Sequence, residues 1–163
     1  MWQQGPRKKK LKEAWLAIRA VHEQWRREGR ADRIPNWEEG RERQVIAEAY
    51  MCYHLPSGKS YVGLAYHGAF DRTKGHWKDR YREDDLCHKI WQQSADPFEW
   101  VVFPIERFSG PRKGHEAFHR EQAHREAWWA SRLQAWWPKG LNTGRMGTTN
   151  PNGARTGWRE HRR

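Results

Sequence analysis

The stretch from Tyr50 to His76, YMCYHLPSGKSYVGLAYHGAFDRTKGH, decides how the chain folds. Tyr50, Met51, Cys52, Tyr53 and Leu55 are mostly aromatic or apolar, the composition of a strand half-buried against a core. Pro56-Ser57-Gly58-Lys59 is turn chemistry, because proline presets one φ and glycine accepts a positive one. Ser60 to Tyr66 (SYVGLAY) reads as a returning strand, so the two segments predict a hairpin. After Gly68 the period changes from two to that of a helix. Arg72 and His76 then stand four residues apart on one helical face.

This spacing resembles the GIY-YIG nuclease family, whose pattern is a tyrosine, ten intervening residues, then Tyr-Val/Ile-Gly. Here Tyr50 is followed by ten residues and then Tyr61-Val62-Gly63. The family next places an arginine on the following helix, with a histidine four residues later in many members, matching Arg72 and His76. Its last helix carries a glutamate three residues before an aromatic, then an apolar run, a proline and an asparagine. Glu126-Ala127-Trp128-Trp129, Leu133, Pro138 and Asn142 follow that order. The resemblance spans residues 45–142, and five elements in the right order make it specific. One position departs from it: the family's Gly-Ile-Tyr is Glu48-Ala49-Tyr50.

The resemblance implies a compact α/β (α+β) domain, a small, mainly antiparallel three-stranded sheet flanked by helices. It implies a divalent-metal-dependent DNA endonuclease, a phosphodiester hydrolase with one Mg²⁺ or Mn²⁺ on Glu126. Phosphodiester hydrolysis needs a deprotonated water, stabilisation of the phosphorane's extra charge, and help for the leaving oxygen. The planar, permanently charged fork of Arg72 suits phosphate oxygens. His76 can exchange a proton near neutral pH or hydrogen-bond a phosphate. By analogy Tyr50 orients or deprotonates the water and Tyr61 supports it. A phenol with a free pKa of about 10 needs nearby positive charge for that task. Gly63 and Asn142 take supporting places. A chain that kept the fold and the charge without cleaving would instead be a non-catalytic nucleic-acid-binding module.

Glu126 stands out on the residues alone. Glu126, Ala130, Leu133 and Trp137 fall at i, i+4, i+7 and i+11 of a predicted helix over residues 114–137, on a face that is otherwise apolar. A carboxylate pointing inward there is costly unless it is paired or ligates a cation. The two readings are a salt bridge to an inward arginine such as Arg72, and a metal ligand. A competing motif, His115-Glu116-Ala117-Phe118-His119, has the HExxH form of zinc proteases. The expected third ligand is missing, since His124 falls one residue short and the glycine is absent. Glu126 is about 16 Å from His115 along the helix axis, too far to share one zinc. A polar, DNA-facing stretch is the better reading of His115, His119 and Arg120.

Composition narrows the partner. The formal net charge of +11 over 163 residues favours a polyanion, here duplex or branched DNA. Lys8, Lys9, Lys10, Lys78, Arg80 and Arg120 are the candidate phosphate contacts, with Trp77 and Tyr81 interleaved for base stacking. No apolar run approaches a membrane span and no signal peptide opens the chain, so no membrane partner is expected. No small-molecule cofactor is expected either. Two cysteines, Cys52 and Cys87, make neither a CxxC zinc module nor a disulfide framework, which points to a reducing, intracellular location, nuclear, cytoplasmic or nucleoid.

The organisation expected is a basic N-terminal helix and linker (1–40), the nuclease-like domain (41–142) and a basic, disordered tail (143–163). Leu11, Trp15, Ile18, His22 and Trp25 give the first helix an apolar stripe over Leu11–Arg27, closed by Gly29 and Pro35. A short helix over Glu83–Gln93 and a strand over Phe98–Ile105 complete the core. Pro104 assigns that strand to a sheet edge, or ends it.

Overall fold

Ala47–His54 forms β1, and all eight of its residues are buried. In the computed structural model β1 is the middle strand of a three-stranded antiparallel sheet, ordered β2-β1-β3, with β2 at Lys59–Ala65 and β3 at Trp100–Phe108. Position explains the burial: helices cover both faces, so the half-buried strand expected from the sequence is buried on both sides. The structure describes residues 6–35, 47–66, 68–78, 81, 86–94, 97–108 and 116–143. Most of the expected tail, part of the linker, Arg80 and His115 lie outside the described residues, as do the side chains of Lys8, Cys87 and His119.

Strand alternation sorts β1 into two faces. Ala49, Met51 and Tyr53 pack with Ile18, Val21 and Trp25 of α1 (Pro6–Arg27) and with Trp129, Ala130 and Leu133 of α4 (Glu116–Arg132). Tyr50 and Cys52 face the other way, onto Tyr61, Ala69, Trp91, Trp100 and Leu141. That second layer is carried by α2 (Ala69–Lys78) and α3 (Leu86–Gln93). The apolar stripe of α1 therefore packs onto the domain. His22, on that stripe, is bonded through Nε2 to the Ile105 carbonyl at 2.8 Å.

β3 is an edge strand, as Pro104 requires. It runs further than the sequence suggested, because the register shifts where Ala49 pairs Glu106 and Tyr50 pairs Pro104. Ile105 is the extra residue, and the bulge lets the strand continue to Phe108. Pro97–Glu99 is a single 3₁₀ turn rather than strand, which leaves Phe98 exposed.

Two helices end in the same way. At the end of α1, Gly29 has φ +71° and Arg30 N–H donates to the Trp25 carbonyl at 2.8 Å. After α4, Gln134 has φ +53° and Ala135 N–H donates to the Ala130 carbonyl at 2.7 Å. Both are left-handed caps that satisfy late carbonyls of the helix. The second stops α4 at Arg132, so Trp137 is not on the helix as the spacing predicted.

Glu106, at 0 % exposure, ties β3 to α4. It accepts from Arg125 through Nε and Nη2 (3.0–3.2 Å) and from Trp129 Nε1 at 2.7 Å, with Arg33 Nη1 at 3.4 Å. A buried carboxylate with this many donors escapes the penalty of an unpaired charge.

Candidate active site

The hairpin register places Tyr50 opposite Gly63 and Cys52 opposite Tyr61. Alternation points Tyr50, Tyr61 and Gly63 to one face, and α2 lies over them. The Tyr50 hydroxyl is 2.9 Å from His76 Nε2, in a buried hydrogen bond. With the imidazole proton on Nδ1, Nε2 accepts the phenol's proton. Tyr61 closes the triangle, its ring centroid 6.4 Å from that of Tyr50 and 6.2 Å from that of His76. Gly63 makes this approach possible. A Cβ there would lie 2.8 Å from the Tyr50 hydroxyl and 2.8 Å from Tyr61 Cε1.

α2 is held over the hairpin by a group that the sequence reading passed over. Glu48, which stands where the resemblance calls for glycine, is 0 % exposed and accepts the Ala69 N–H at 2.9 Å. It satisfies an orphan amide in the first turn of α2 and complements the helix dipole there. Its other oxygen is buried without a hydrogen-bond partner among the described residues. Burial pushes the Glu48 carboxyl pKa up, and the Ala69 amide and the Arg107 charge offset part of that.

His76 is oriented by a ring stack. Trp91 is parallel to it within 14°, at a centroid distance of 6.5 Å, and Trp91 stacks on Trp100 at 3.9 Å and 11°. Nothing in the sequence spacing placed Trp91 and Trp100 beside the histidine, because they come from α3 and β3. Cys52, fully buried in the same layer with its Sγ 3.7 Å from the Thr73 hydroxyl, has its thiol pushed up to about 12 by burial. It is not a nucleophile at neutral pH.

Asn142 reaches the site from the chain beyond α4. Its Oδ1 accepts the Val62 N–H and its Nδ2 donates to the Val62 carbonyl, both at 2.8 Å. The side chain thus pairs with the outer edge of β2 between Tyr61 and Gly63, as a neighbouring strand would.

The expected residues divide into those brought together and those held apart. Tyr50, Tyr61, Gly63 and His76 converge, and Asn142 braces the strand beneath them. Arg72 is one turn before His76 but exposed, so it is not the inward arginine imagined as a partner for Glu126. Glu126 is half-buried on α4, in the layer on the opposite face of the sheet from the tyrosines. One turn before it on the same stripe, Gln122 accepts the Tyr66 hydroxyl at 2.9 Å, which sets this part of α4 against the end of β2. Glu116 of the HExxH string is exposed and pairs with Arg120 at 3.1 Å. Among the described residues no group of three or more His, Cys, Asp or Glu could hold a metal ion. The expected Mg²⁺ or Mn²⁺ site needs less, since Mg²⁺ keeps several waters and binds through one or two carboxylates plus substrate phosphate. A single half-buried Glu126 is a donor set of that kind.

Of the candidate phosphate contacts, Lys9, Lys10 and Lys78 are exposed, whereas Arg120 is engaged by Glu116. Trp77 packs edge-on against Trp91 at 6.0 Å, and Tyr81 is exposed. No helix among the described residues is long and apolar enough to cross a membrane. No family model matches the chain, and neither a curated protein nor a solved structure matches it.

Proposed function

We propose that the chain is a divalent-metal-dependent DNA endonuclease of the GIY-YIG kind, hydrolysing phosphodiester bonds. The observation that carries this reading is the buried hydrogen bond between the Tyr50 hydroxyl and His76 Nε2, flanked by Tyr61 and roofed by Gly63. A phenol alone is a poor base at neutral pH. An imidazole at 2.9 Å supplies a place for its proton, so Tyr50 can orient and deprotonate a water without itself holding a full negative charge. Arg72, exposed one turn from His76, presents a fork to the scissile phosphate. Glu126 would hold the metal, which would neutralise phosphate charge and assist the leaving oxygen when bound. Because α4 lies on the other face of the sheet from Tyr50, this reading requires one phosphate to be reached from both sides of the β2 edge. The small antiparallel three-stranded sheet flanked by helices supports this reading, since it is the fold that the resemblance implied.

The burial of the cluster favours a second reading. Tyr50 is 1 % exposed and His76 2 %, so the same residues can serve as packing in a non-catalytic nucleic-acid-binding module. Cleavage of labelled duplex and branched DNA with and without Mg²⁺ or Mn²⁺, beside Glu126→Ala, separates the two. The nuclease reading expects metal-dependent nicks that fall by 10²-fold or more, on the order of one lost catalytic group, in Glu126→Ala. Equal DNA affinity for both proteins, with no product from any substrate, would overturn it in favour of the binding module.

A further inference from the structure

We infer that a groove on the α1/α4 side of the sheet holds the sugar–phosphate backbone of a DNA strand, as a second nucleic-acid contact apart from the Tyr50–His76 cluster. The groove, about 560 Å³, lies between α1, the β1–β2 turn and the chain that follows α4. Lys10, Lys59, Arg132 and Lys139 line it, and Glu13 is the single carboxylate among its lining residues. Ser57 adds a hydroxyl from the turn.

Two of these cations are held by aromatic faces rather than by carboxylates. Elsewhere on the surface, Arg19 and Arg120 pair with a carboxylate at 3.8 Å or less. In the groove, Lys59 Nζ instead lies 4.5 Å from the Trp137 ring centroid, and the Arg132 guanidinium lies 5.3 Å from that of Trp128. An aromatic face orients a cation through its quadrupole and carries no formal charge. The positive charge is therefore positioned without being neutralised, as a polyanion site requires.

The groove also includes Tyr53 and Ser60, whose side chains alternate to the face opposite Tyr50 and Tyr61. A strand lying there is not the segment presented to Tyr50. The chain would hold two segments of DNA at once, one on each side of the hairpin, which suits a bent or branched substrate. The inference needs a nucleic-acid partner and does not need cleavage.

The test is fluorescence anisotropy of labelled single-stranded, duplex and branched DNA in EDTA, across about 50 to 200 mM salt. Wild type is compared with Lys10→Ala/Lys139→Ala and with Arg27→Ala, an exposed cation about 25 Å from Lys10 along α1. Each lost phosphate contact lowers the slope of log affinity against log salt by about 0.9 on duplex DNA, so the double variant loses about 2. Its affinity falls at least several-fold while Arg27→Ala stays near wild type. Equal slopes for wild type and the double variant, or an equal loss in Arg27→Ala, would refute the groove contact. Unchanged DNA binding with weakened binding of inorganic tripolyphosphate would also refute it, assigning the groove to a free anion. Because EDTA removes metal, this result is independent of whether the chain cuts DNA.

Discussion

Tyr50 and His76, 26 residues apart in the chain, meet through a 2.9 Å hydrogen bond between the phenol oxygen and Nε2, buried between the hairpin and α2. The bond joins the first strand to the second turn of the helix above it, so it couples the fold to the proposed chemistry. Removing either partner has consequences for both.

Tyr50→Phe is expected to lower DNA cleavage by about 10²–10⁴-fold, the range for a lost acid–base group. It should also cost about 1–3 kcal/mol of stability, because the buried hydrogen bond between the hairpin and α2 is lost. Single-turnover cleavage and urea unfolding of the same variant separate the two effects. Loss of stability with unchanged cleavage would leave the pair a structural one.

Gly63→Ala tests the space rather than the hydrogen bond. A Cβ there lies 2.8 Å from both the Tyr50 hydroxyl and Tyr61 Cε1, so the tyrosines must move. Overpacking of this kind costs about 1–3 kcal/mol. The Tyr50–His76 bond should lengthen, and cleavage should fall even though no reacting group is removed. A thermal unfolding midpoint equal to wild type would mean that the hairpin relaxes freely at this position.

The hairpin and the first helix were legible because their determinants are local. Pro56 and Gly58 mark the turn, the Leu11–Trp25 stripe marks the helix face, and Pro104 marks an edge. Tyr50, Tyr61 and Gly63 could be aligned because a fixed hairpin register converts spacing into position. What was hidden depends on contacts between distant segments. Glu48 looked like a departure from a pattern, yet it anchors α2 through Ala69 across 21 residues. Trp91 and Trp100 orient His76 from two other elements, and no periodicity connects them. The end of α4 was missed because a glutamine occupies a left-handed position that normally advertises itself as glycine. Lys10 was singled out from the basic cluster, but its grouping with Lys59 and Lys139 was hidden for the same reason as the tryptophans, since the three become neighbours only once α1 and the segment after α4 pack on the sheet.

His22 predicts how stability responds to pH. Burial lowers its pKa below the usual 6.5, with Arg26 adding to the effect, while the bond to the Ile105 carbonyl and the Glu106 charge oppose it. A histidine whose pKa is depressed by folding is neutral in the native state. The unfolded chain binds the proton first as pH falls, so this contribution is intact above about 6.5 and is eroded below it. Urea unfolding of wild type should show stability declining from pH 8 towards pH 5.5, with a smaller decline in His22→Gln. Parallel profiles for the two proteins would remove His22 from the account.

Gln134 and Gly29 occupy the same place in two helix caps, at φ +53° and φ +71°. A side chain in this left-handed region carries strain that glycine does not. Gln134→Gly should therefore stabilise the protein, by up to about 1 kcal/mol once the greater flexibility of glycine in the unfolded chain is deducted. For a chain of this size that is a rise of about 2–4 °C in the unfolding midpoint. Gly29→Gln should shift the midpoint the other way by a similar amount, since the two caps share one hydrogen-bond pattern. A drop in the midpoint for Gln134→Gly would mean that the glutamine side chain makes a contribution larger than the backbone strain it imposes.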